Sequence, residues 1–411
     1  MNSRIQALLS VLLIAIFFAV VIGFNGFNGM LRMWHIPYLV PRFADLAALT
    51  HGAEAVRQGL DPLLQNPADP WGRPLNYPRV WQWLYLLGLN PSHTFGLGIA
   101  MIVAYLGAVV LILPGANLGT LASVMVAVAS PASLLAMERA NIDLIVFVVL
   151  AVSVVLARRS LWWPLGGVLG AFVMKIYPVF ALVYLARYRG RVARSVVLVA
   201  MVFVAVYLVL MLPELRLVLA ATPQANYMSY GANVFLTRYA ERAQFLAPFL
   251  SVFVRLAAMV IAGCLVGMAS LAPGRVRQEV LDGGKGRQEG GLSMDCFRVG
   301  SAIYMGTFLL SNNWDYRLIF LVFVIPQLVA WVAAGRARVL RFCSFFALFL
   351  IFYSQWSLMI SGWISMLPGG DRWAFGLDEL ANWLLFFQLT YLFFLSLPPS
   401  LIPPALLARR A

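Results

Sequence analysis

Apolar runs of about 20 residues recur along the whole chain, and no other feature constrains its fold as much. Of the 411 residues, 62% are apolar or aromatic and 11% are charged, whereas a soluble chain is about 45–50% apolar and about 25% charged. A helix needs about 20 apolar residues to cross a bilayer. The sequence therefore predicts an all-α polytopic membrane protein and excludes the soluble, disordered and fibrous classes.

The apolar runs predict about ten crossings within one transmembrane domain (1–411). The first run follows Arg4 and covers 5–27, which is too long for the core of a signal peptide. An even number of crossings puts both termini in the cytoplasm, and the expected location is the inner (plasma) membrane. The other predicted spans are 94–114, 117–135, 142–157, 193–213, 255–273, 298–311, 316–335, 341–363 and 379–398.

The segment 163–186 is apolar but has arginines on both sides. Basic residues favour the cytoplasmic side, and a segment of about 24 residues cannot cross the membrane twice. Gly166, Gly170 and Pro178 interrupt it. We therefore expect a broken re-entrant helix pair with Lys175 near the bend, because such backbone is tolerated only where it is buried in protein or lines a cavity.

The basic excess has a topological cause. The chain holds 30 Lys and Arg against 16 Asp and Glu, which gives a formal net charge of +14. With the predicted spans, the whole excess falls on the cytoplasmic side, as the positive-inside rule requires. The charge therefore indicates orientation and predicts no nucleic-acid partner.

Three hydrophilic segments separate the spans. The first external loop (29–93) and the second external loop (214–254) are long, and long ordered loops are typical of functional sites. The first is predicted to be catalytic. The segment 273–295 is rich in Gly and predicts a flexible cytoplasmic linker.

The first external loop carries two patterns. Apolar residues recur every three or four positions, which predicts an amphipathic helix at the membrane surface: Leu46, Leu49, Ala53, Val56, Leu60 and Leu63. Aromatic residues follow, as in an interfacial belt: Trp71, Tyr77, Trp81, Trp83 and Tyr85.

Charged residues stand at the predicted outer ends of several spans. Asp45 is the carboxylate nearest the first span, and it has two interpretations, a general base or a helix N-cap. Glu138, Arg139, Asn141 and Asp143 line a pocket, or the first two form a surface ion pair. Lys175 contacts an anion in a cavity, or it extends to the interface.

The later turns hold further candidates. Arg238 and Arg242 are candidate phosphate ligands because the arginine fork grips phosphate. The histidines lack metal-ligand spacing and no nucleotide-binding loop occurs, so no metal site and no cofactor is predicted, with a divalent metal left open. A polar cluster between two late spans is either part of a pocket or a plain turn: Asn313, Asp315, Tyr316 and Arg317.

Several motifs follow one another in the first half of the chain. An Asp after the first span precedes Gly-Leu-Asp-Pro (59–62) and Tyr-Pro (77–78), and then Glu-Arg-Ala-Asn-Ile-Asp (138–143). A Gly-rich segment ending in Lys-Ile-Tyr-Pro (175–178) comes next. This order resembles glycosyltransferase family 87, the polyprenyl-phosphate-mannose-dependent mannosyltransferases of the GT-C superfold, over roughly residues 1–200.

The resemblance implies inverting transfer of a sugar, mannose or another hexose or pentose, from a polyprenyl-phosphate donor to a lipid- or glycan-linked acceptor on the external face. Asp45 matches the base, and Lys175 stands at a matching cation position. Arg139, Arg238 and Arg242 are further candidate ligands of the donor phosphate. The expected cavity residues are Tyr77, Glu138, Asn141, Asn313, Asp315, Tyr316 and Arg317, and the expected partners are donor, acceptor and membrane lipids.

The chain departs from the family pattern at two places. Glu138 stands where the family often has Gln, and the segment 314–317 stands where it often has a His, so Asp315 or Tyr316 would have to replace that residue. Two other functions also fit the sequence. One is a polysaccharide polymerase or ligase, and the other is a transporter or flippase for lipid-linked sugars, which broken helices suit.

Overall fold

The computed structural model describes residues 3–113, 115–157, 159–188, 191–225, 227–239, 247–282, 288–310 and 312–397. In these ranges the chain is predominantly helical, as predicted. The α-helices are α1 (Ser3–Met33), α2 (Ala44–Arg57), α3 (Thr94–Leu111), α4 (Leu118–Val128), α5 (Pro131–Arg139), α6 (Asp143–Leu156), α7 (Trp162–Met174), α8 (Arg191–Leu210), α9 (Leu212–Ala221), α10 (Val234–Tyr239), α11 (Ala247–Leu271), α12 (Gly274–Asp282), α13 (Gln288–Leu310), α14 (Ile325–Ala334), α15 (Arg338–Ile364) and α16 (Gly370–Ser396).

Shorter elements connect these helices. The 3₁₀ helices are Arg79–Leu87, Pro91–His93, Tyr177–Arg187 and Asp315–Phe323. Two strands of two residues each, β1 (Ser229–Tyr230) and β2 (Asn313–Trp314), pair in antiparallel fashion with Ser229 opposite Trp314.

Several described helices have the length and composition of membrane spans. Four qualify alone, and the number rises to at most seven if each of three bent helix pairs counts as one span. The four are Pro91–Leu111, Phe249–Leu271, Arg338–Ile364 and Gly370–Ser396. The structure is therefore compatible with a polytopic membrane protein, while the ten crossings and their orientation stay predictions.

Proline explains the three bent pairs. The second helix of each pair has a proline in its first two positions, namely Pro131 in α5, Pro213 in α9 and Pro326 in α14. Proline fits the first turn of a helix but clashes with a preceding turn. The helices therefore break where the sequence predicted continuous spans, with bends of 70° between α8 and α9 and 48° before α14.

The chain divides into two compact units, which are described separately. Unit 1 comprises Met1–Ile36, Ile112–Ser133 and Gln224–Ala411, and unit 2 comprises Pro37–Leu111 and Leu134–Pro223. Unit 2 contains α2, α3 and α6 to α9. The single transmembrane domain expected from the sequence stays a prediction.

Helix α6 lies at the centre of unit 2. The buried rings of Tyr105 on α3 and Phe147 on α6 meet edge to face, with centroids 4.9 Å apart. A Cβ atom at Gly167 on α7 would collide with Ser153 on α6. Because Gly167 has none, α7 approaches α6 closely.

The surface helix predicted in the first external loop is α2, but it is buried on more of its circumference than predicted. Leu46, Leu49 and Ala53 are buried as expected, and so are Ala47 and Thr50. The loop that follows α2 packs against it, which a pattern of apolar spacing does not reveal.

The cytoplasmic linker predicted at 273–295 is partly helical. Residues 274–282 form α12, and α13 begins at Gln288. The Glu279 carboxylate of α12 accepts a hydrogen bond from the Ala337 N–H at 3.0 Å, which ties α12 to the start of α15. Residues 283–287 lie outside the described residues.

Candidate functional site

Asp45 lies in the first turn of α2, and the residues around it fix that turn in place. Phe43 precedes the helix in a left-handed conformation (φ 62°, ψ 44°), and its N–H donates to the Glu138 carbonyl at 3.2 Å. A Cβ atom at Gly98 would collide with the Phe43 ring, so this ring packs directly on α3. Phe43 is the N-cap and no side chain caps the helix, so the interpretation of Asp45 as a helix cap is wrong.

The Asp45 carboxylate instead binds the turn between α5 and α6. Ala140 in this turn is left-handed (φ 42°), which reverses the chain just before Asn141. The Asn141 amide Nδ2 donates to Asp45 Oδ2 at 2.5 Å and lies 3.4 Å from the Tyr77 hydroxyl. The Asn141 Oδ1 atom accepts from the backbone N–H of Asp143 at 2.9 Å. Asn141 is completely buried, and Asp45 is half-buried.

Lys175 joins the same group of residues from α7. The helix ends at Met174, and Lys175 is extended (φ −157°, ψ 134°), so the predicted break is present. The Lys175 ammonium donates to Asp143 Oδ1 at 2.5 Å and to Asn141 Oδ1 at 2.9 Å. The Tyr177 hydroxyl donates to the same Asp143 oxygen at 2.8 Å.

Lys175 therefore does not extend outward to an interface. Its side chain is 12% exposed and that of Asp143 is fully enclosed. An isolated buried cation is costly, and here Asp143 supplies the anion from within the chain. We call the six connected residues the Asp45 network: Asp45, Tyr77, Asn141, Asp143, Lys175 and Tyr177.

The loop after α2 clamps the turn that carries Asp45. The enclosed Asp69 carboxylate accepts from the Trp71 N–H and from the Arg73 guanidinium at 2.9–3.1 Å. Arg73 also donates to the Ala44 carbonyl in the first turn of α2 at 2.7 Å. Burial raises the pKa of Asp69, but hydrogen bonds from Arg73 outweigh it and hold the pKa below its ordinary value of 3.8.

Glu138 and Arg139 form an ion pair of 3.1 Å between Oε2 and Nε. The predicted pair is present, but it is not a surface pair, because Glu138 is 2% exposed. Glu138 Oε1 also accepts from the Leu39 N–H at 2.9 Å. Arg139 as a ligand of the donor phosphate stays a prediction.

A groove lies on the face of α2 that carries Ala47 and His51. It has a volume of about 470 Å³ and mostly apolar walls. Arg42 is the charged residue of its lining and is exposed. The lining residues are Pro41, Arg42, Ala47, His51, Pro91, Ser92, Thr94 and Phe95.

The late polar cluster belongs to unit 1 and is more than a plain turn. Asn313 is buried in β2 and its Nδ2 donates to the Thr307 carbonyl at 2.7 Å. The Arg317 guanidinium donates to the Asn313 amide oxygen. The Tyr316 ring stacks on Trp314, with centroids 6.2 Å apart.

The two arginines predicted as phosphate ligands in segment 214–254 have different outcomes. Arg238 lies over the Phe375 ring, 4.3 Å from its centroid. The phosphate-binding role of Arg238 stays a prediction. Arg242 lies outside the described residues.

Sequence reasoning missed most of an acidic cluster in unit 1, formed by Asp315, Asp378 and Glu379. Asp315 and Glu379 are buried, and the three carboxylates interact electrostatically. In the described part of the chain none of them has an ion pair with a basic residue, and Glu379 Oε1 has no hydrogen-bond partner. Asp378 accepts from Ser357 and Asn382. The signal in the sequence is two adjacent acids in an apolar helix, α16.

No family model matches the chain, and no curated protein or solved structure matches it significantly. Four residues expected at one site from separate motifs do meet in the Asp45 network: Asp45, Tyr77, Asn141 and Lys175. Asp143, a candidate pocket residue, and Tyr177, which was not expected there, complete it. The function must therefore be argued from this network.

Proposed function

We propose that the chain is an integral membrane glycosyltransferase. It transfers a sugar, mannose or another hexose or pentose, from polyprenyl phosphate to a hydroxyl of a lipid- or glycan-linked acceptor on the external face. The observation that carries the proposal is the half-buried Asp45 carboxylate, which Asn141 holds at 2.5 Å through Oδ2 alone. The Oδ1 atom has no hydrogen-bond partner among the described residues, so it is open to accept a proton.

The chemistry follows from this arrangement. Asp45 Oδ1 takes the proton of the acceptor hydroxyl while the acceptor oxygen attacks the anomeric carbon. The bond between that carbon and the phosphate oxygen breaks on the opposite face of the sugar, and its electron pair leaves with polyprenyl phosphate. The product glycoside has the inverted anomeric configuration.

The lining of the groove beside α2 supports the proposal of a substrate with a hydrocarbon chain and a negative charge. Its mostly apolar walls, including Phe95, suit a hydrocarbon chain, and the positively charged Arg42 is one of its lining residues. The proposal includes the topology expected from the sequence, a GT-C-like bundle of about ten crossings with a re-entrant pair around Lys175. It also includes cytoplasmic termini and the inner (plasma) membrane.

Product analysis tests the proposal. The purified full chain is incubated with polyprenyl-phosphate mannose and other monophosphate sugar donors carrying a labelled sugar, together with a crude pool of lipids and glycans. We expect a labelled product heavier than its acceptor by one sugar and inverted at the anomeric carbon. A mass shift of many repeat units would indicate a polymerase or ligase. Absence of transfer from every monophosphate donor would contradict the proposal.

The acidic cluster in unit 1 favours a second candidate, a cation- or proton-coupled transporter of lipid-linked sugars. Ionisable groups in apolar segments are costly and commonly mark ion or proton pathways, and Asp315 and Glu379 are such groups. Counterflow of a labelled lipid-linked sugar in proteoliposomes, without covalent change and lost in Asp315→Asn, would establish this candidate. The glycosyltransferase proposal expects no counterflow.

A further inference from the structure

We propose that Lys175 is a positioning residue that acts on Asp45 through the Asn141 amide, and that it does not bind the donor phosphate. The inference rests on the proposed function, because Asp45 is the base in that proposal. It departs from the role that the family resemblance implies for Lys175. Its basis is the set of hydrogen bonds around Asn141.

The orientation of the Asn141 side chain is fully determined. Its Oδ1 atom lies 2.9 Å from the Lys175 ammonium and 2.9 Å from the Asp143 N–H, and both of these groups are donors. Only the amide oxygen can accept from them. The Nδ2 atom must therefore face Asp45 and Tyr77, and an amide N–H can only donate. Asp45 Oδ2 is thus held as an acceptor, and Oδ1 stays open to the substrate.

The charge of Lys175 is already matched inside the protein. Its ammonium lies 2.5 Å from the fully enclosed Asp143 carboxylate, which also accepts from the Tyr177 hydroxyl. A phosphate at Lys175 would compete with this carboxylate in a setting where charge repulsion is weakly screened. The geometry therefore suits an internal support for Asn141 better than an anion site.

Kinetics of Lys175→Met separate the two roles, with labelled polyprenyl-phosphate mannose as the probe. A positioning role predicts that kcat falls by roughly 10- to 100-fold, the scale of one hydrogen bond to a charged group, while the donor KM is unchanged. A raised donor KM with unchanged kcat would overturn the inference and establish a phosphate ligand. Lys175→Arg, which keeps the cation, should restore part of kcat.

Removing Lys175 alone leaves Asp143 buried without its cation, and this variant could fail to fold. The double variant Asp143→Asn/Lys175→Met removes both charges, and the same kcat loss is expected from it. Glu54→Gln is the matched control, because it neutralises a carboxylate on α2, the helix that carries Asp45. The ion pair of Glu54 with Arg57 is partly exposed. The control should keep wild-type kcat and KM.

A coupling measurement decides the inference without any substrate. The denaturation midpoints of Asp45→Asn, Lys175→Met and the double variant form a double-mutant cycle. We expect non-additive shifts that disappear when the cycle is repeated with Asn141→Ala. Coupling that persists undiminished without Asn141 would overturn the inference. Absence of transfer in the wild type would instead contradict the proposed function and leave this result standing.

Discussion

The Asp45 network in unit 2 and the acidic cluster in unit 1 handle buried charge in opposite ways. Asp143 has Lys175 at 2.5 Å and the nearby Asp69 has Arg73 at 2.9 Å. The three carboxylates of the acidic cluster interact electrostatically with one another, and none has an ion pair with a basic residue in the described part of the chain. An opposite charge nearby favours the ionised form of a carboxylate. The ion pair of Asp143 also holds Asn141, the residue that binds the proposed base Asp45. Clustered carboxylates repel one another, which suits the capture of a cation or a proton.

The largest expected effect on stability comes from breaking a pair in unit 2. Asp143→Asn leaves the Lys175 ammonium buried without its carboxylate, and removal of one partner of a buried pair costs about 3–5 kcal/mol. The free energy of unfolding in mixed micelles measures this loss. The double variant with Lys175→Met should recover a substantial part of it. A loss below about 1 kcal/mol, the scale of an exposed pair, would show that Lys175 is solvated.

A smaller effect with a defined pH dependence is expected at Asp69. Asp69→Asn should lower the free energy of unfolding at pH 7 by about 1–3 kcal/mol, the cost of losing charged hydrogen bonds. Because the folded pKa of Asp69 lies below 3.8, its contribution is complete above the unfolded value and disappears as pH falls through the folded value.

Unfolding titrations at pH 7 and near pH 3 measure the Asp69 effect. The difference between wild type and variant should shrink at the lower pH. A difference that stays constant over this range would show that the Asp69 charge is not stabilising.

The smallest expected effect has the opposite sign and lies in the acidic cluster. Glu379→Gln removes one of three mutually repelling groups, so the free energy of unfolding should stay constant or rise by up to about 1 kcal/mol. The same micelle unfolding assay measures it. A loss comparable to that of Asp143→Asn would mean that Glu379 has a cationic partner, and the contrast between the units would fail.

Local patterns predicted the helices and several site residues. Apolar periodicity indicated α2, and the glycines and Pro178 indicated the break at Lys175. Lys175 itself stood out because it is an isolated cation in an apolar segment, and the motif order singled out Asp45 and Asn141. Apart from the motif order, each of these signals lies within one short segment of the sequence.

Contacts between distant segments could not be predicted in the same way. Asp143 and Lys175 are 32 positions apart, and only the packing of α7 on α6 brings them together. The loop after α2 is bound to the first turn of that helix by the hydrogen bond from Arg73 to the Ala44 carbonyl, which no periodicity contains. The breaks within the bent helix pairs, unlike these contacts, could have been predicted from the sequence, because each follows from a proline: Pro131, Pro213 and Pro326.

The most direct test of glycosyl transfer by the Asp45 network is a single-turnover measurement with labelled polyprenyl-phosphate mannose. Wild type, Asp45→Asn and Glu54→Gln are compared, each shown to be folded by its thermal unfolding midpoint. Loss of a general base predicts a rate lower by about 10²- to 10⁴-fold for Asp45→Asn, with Glu54→Gln unchanged. Transfer by folded Asp45→Asn at the wild-type rate would contradict the assignment of Asp45 as the base.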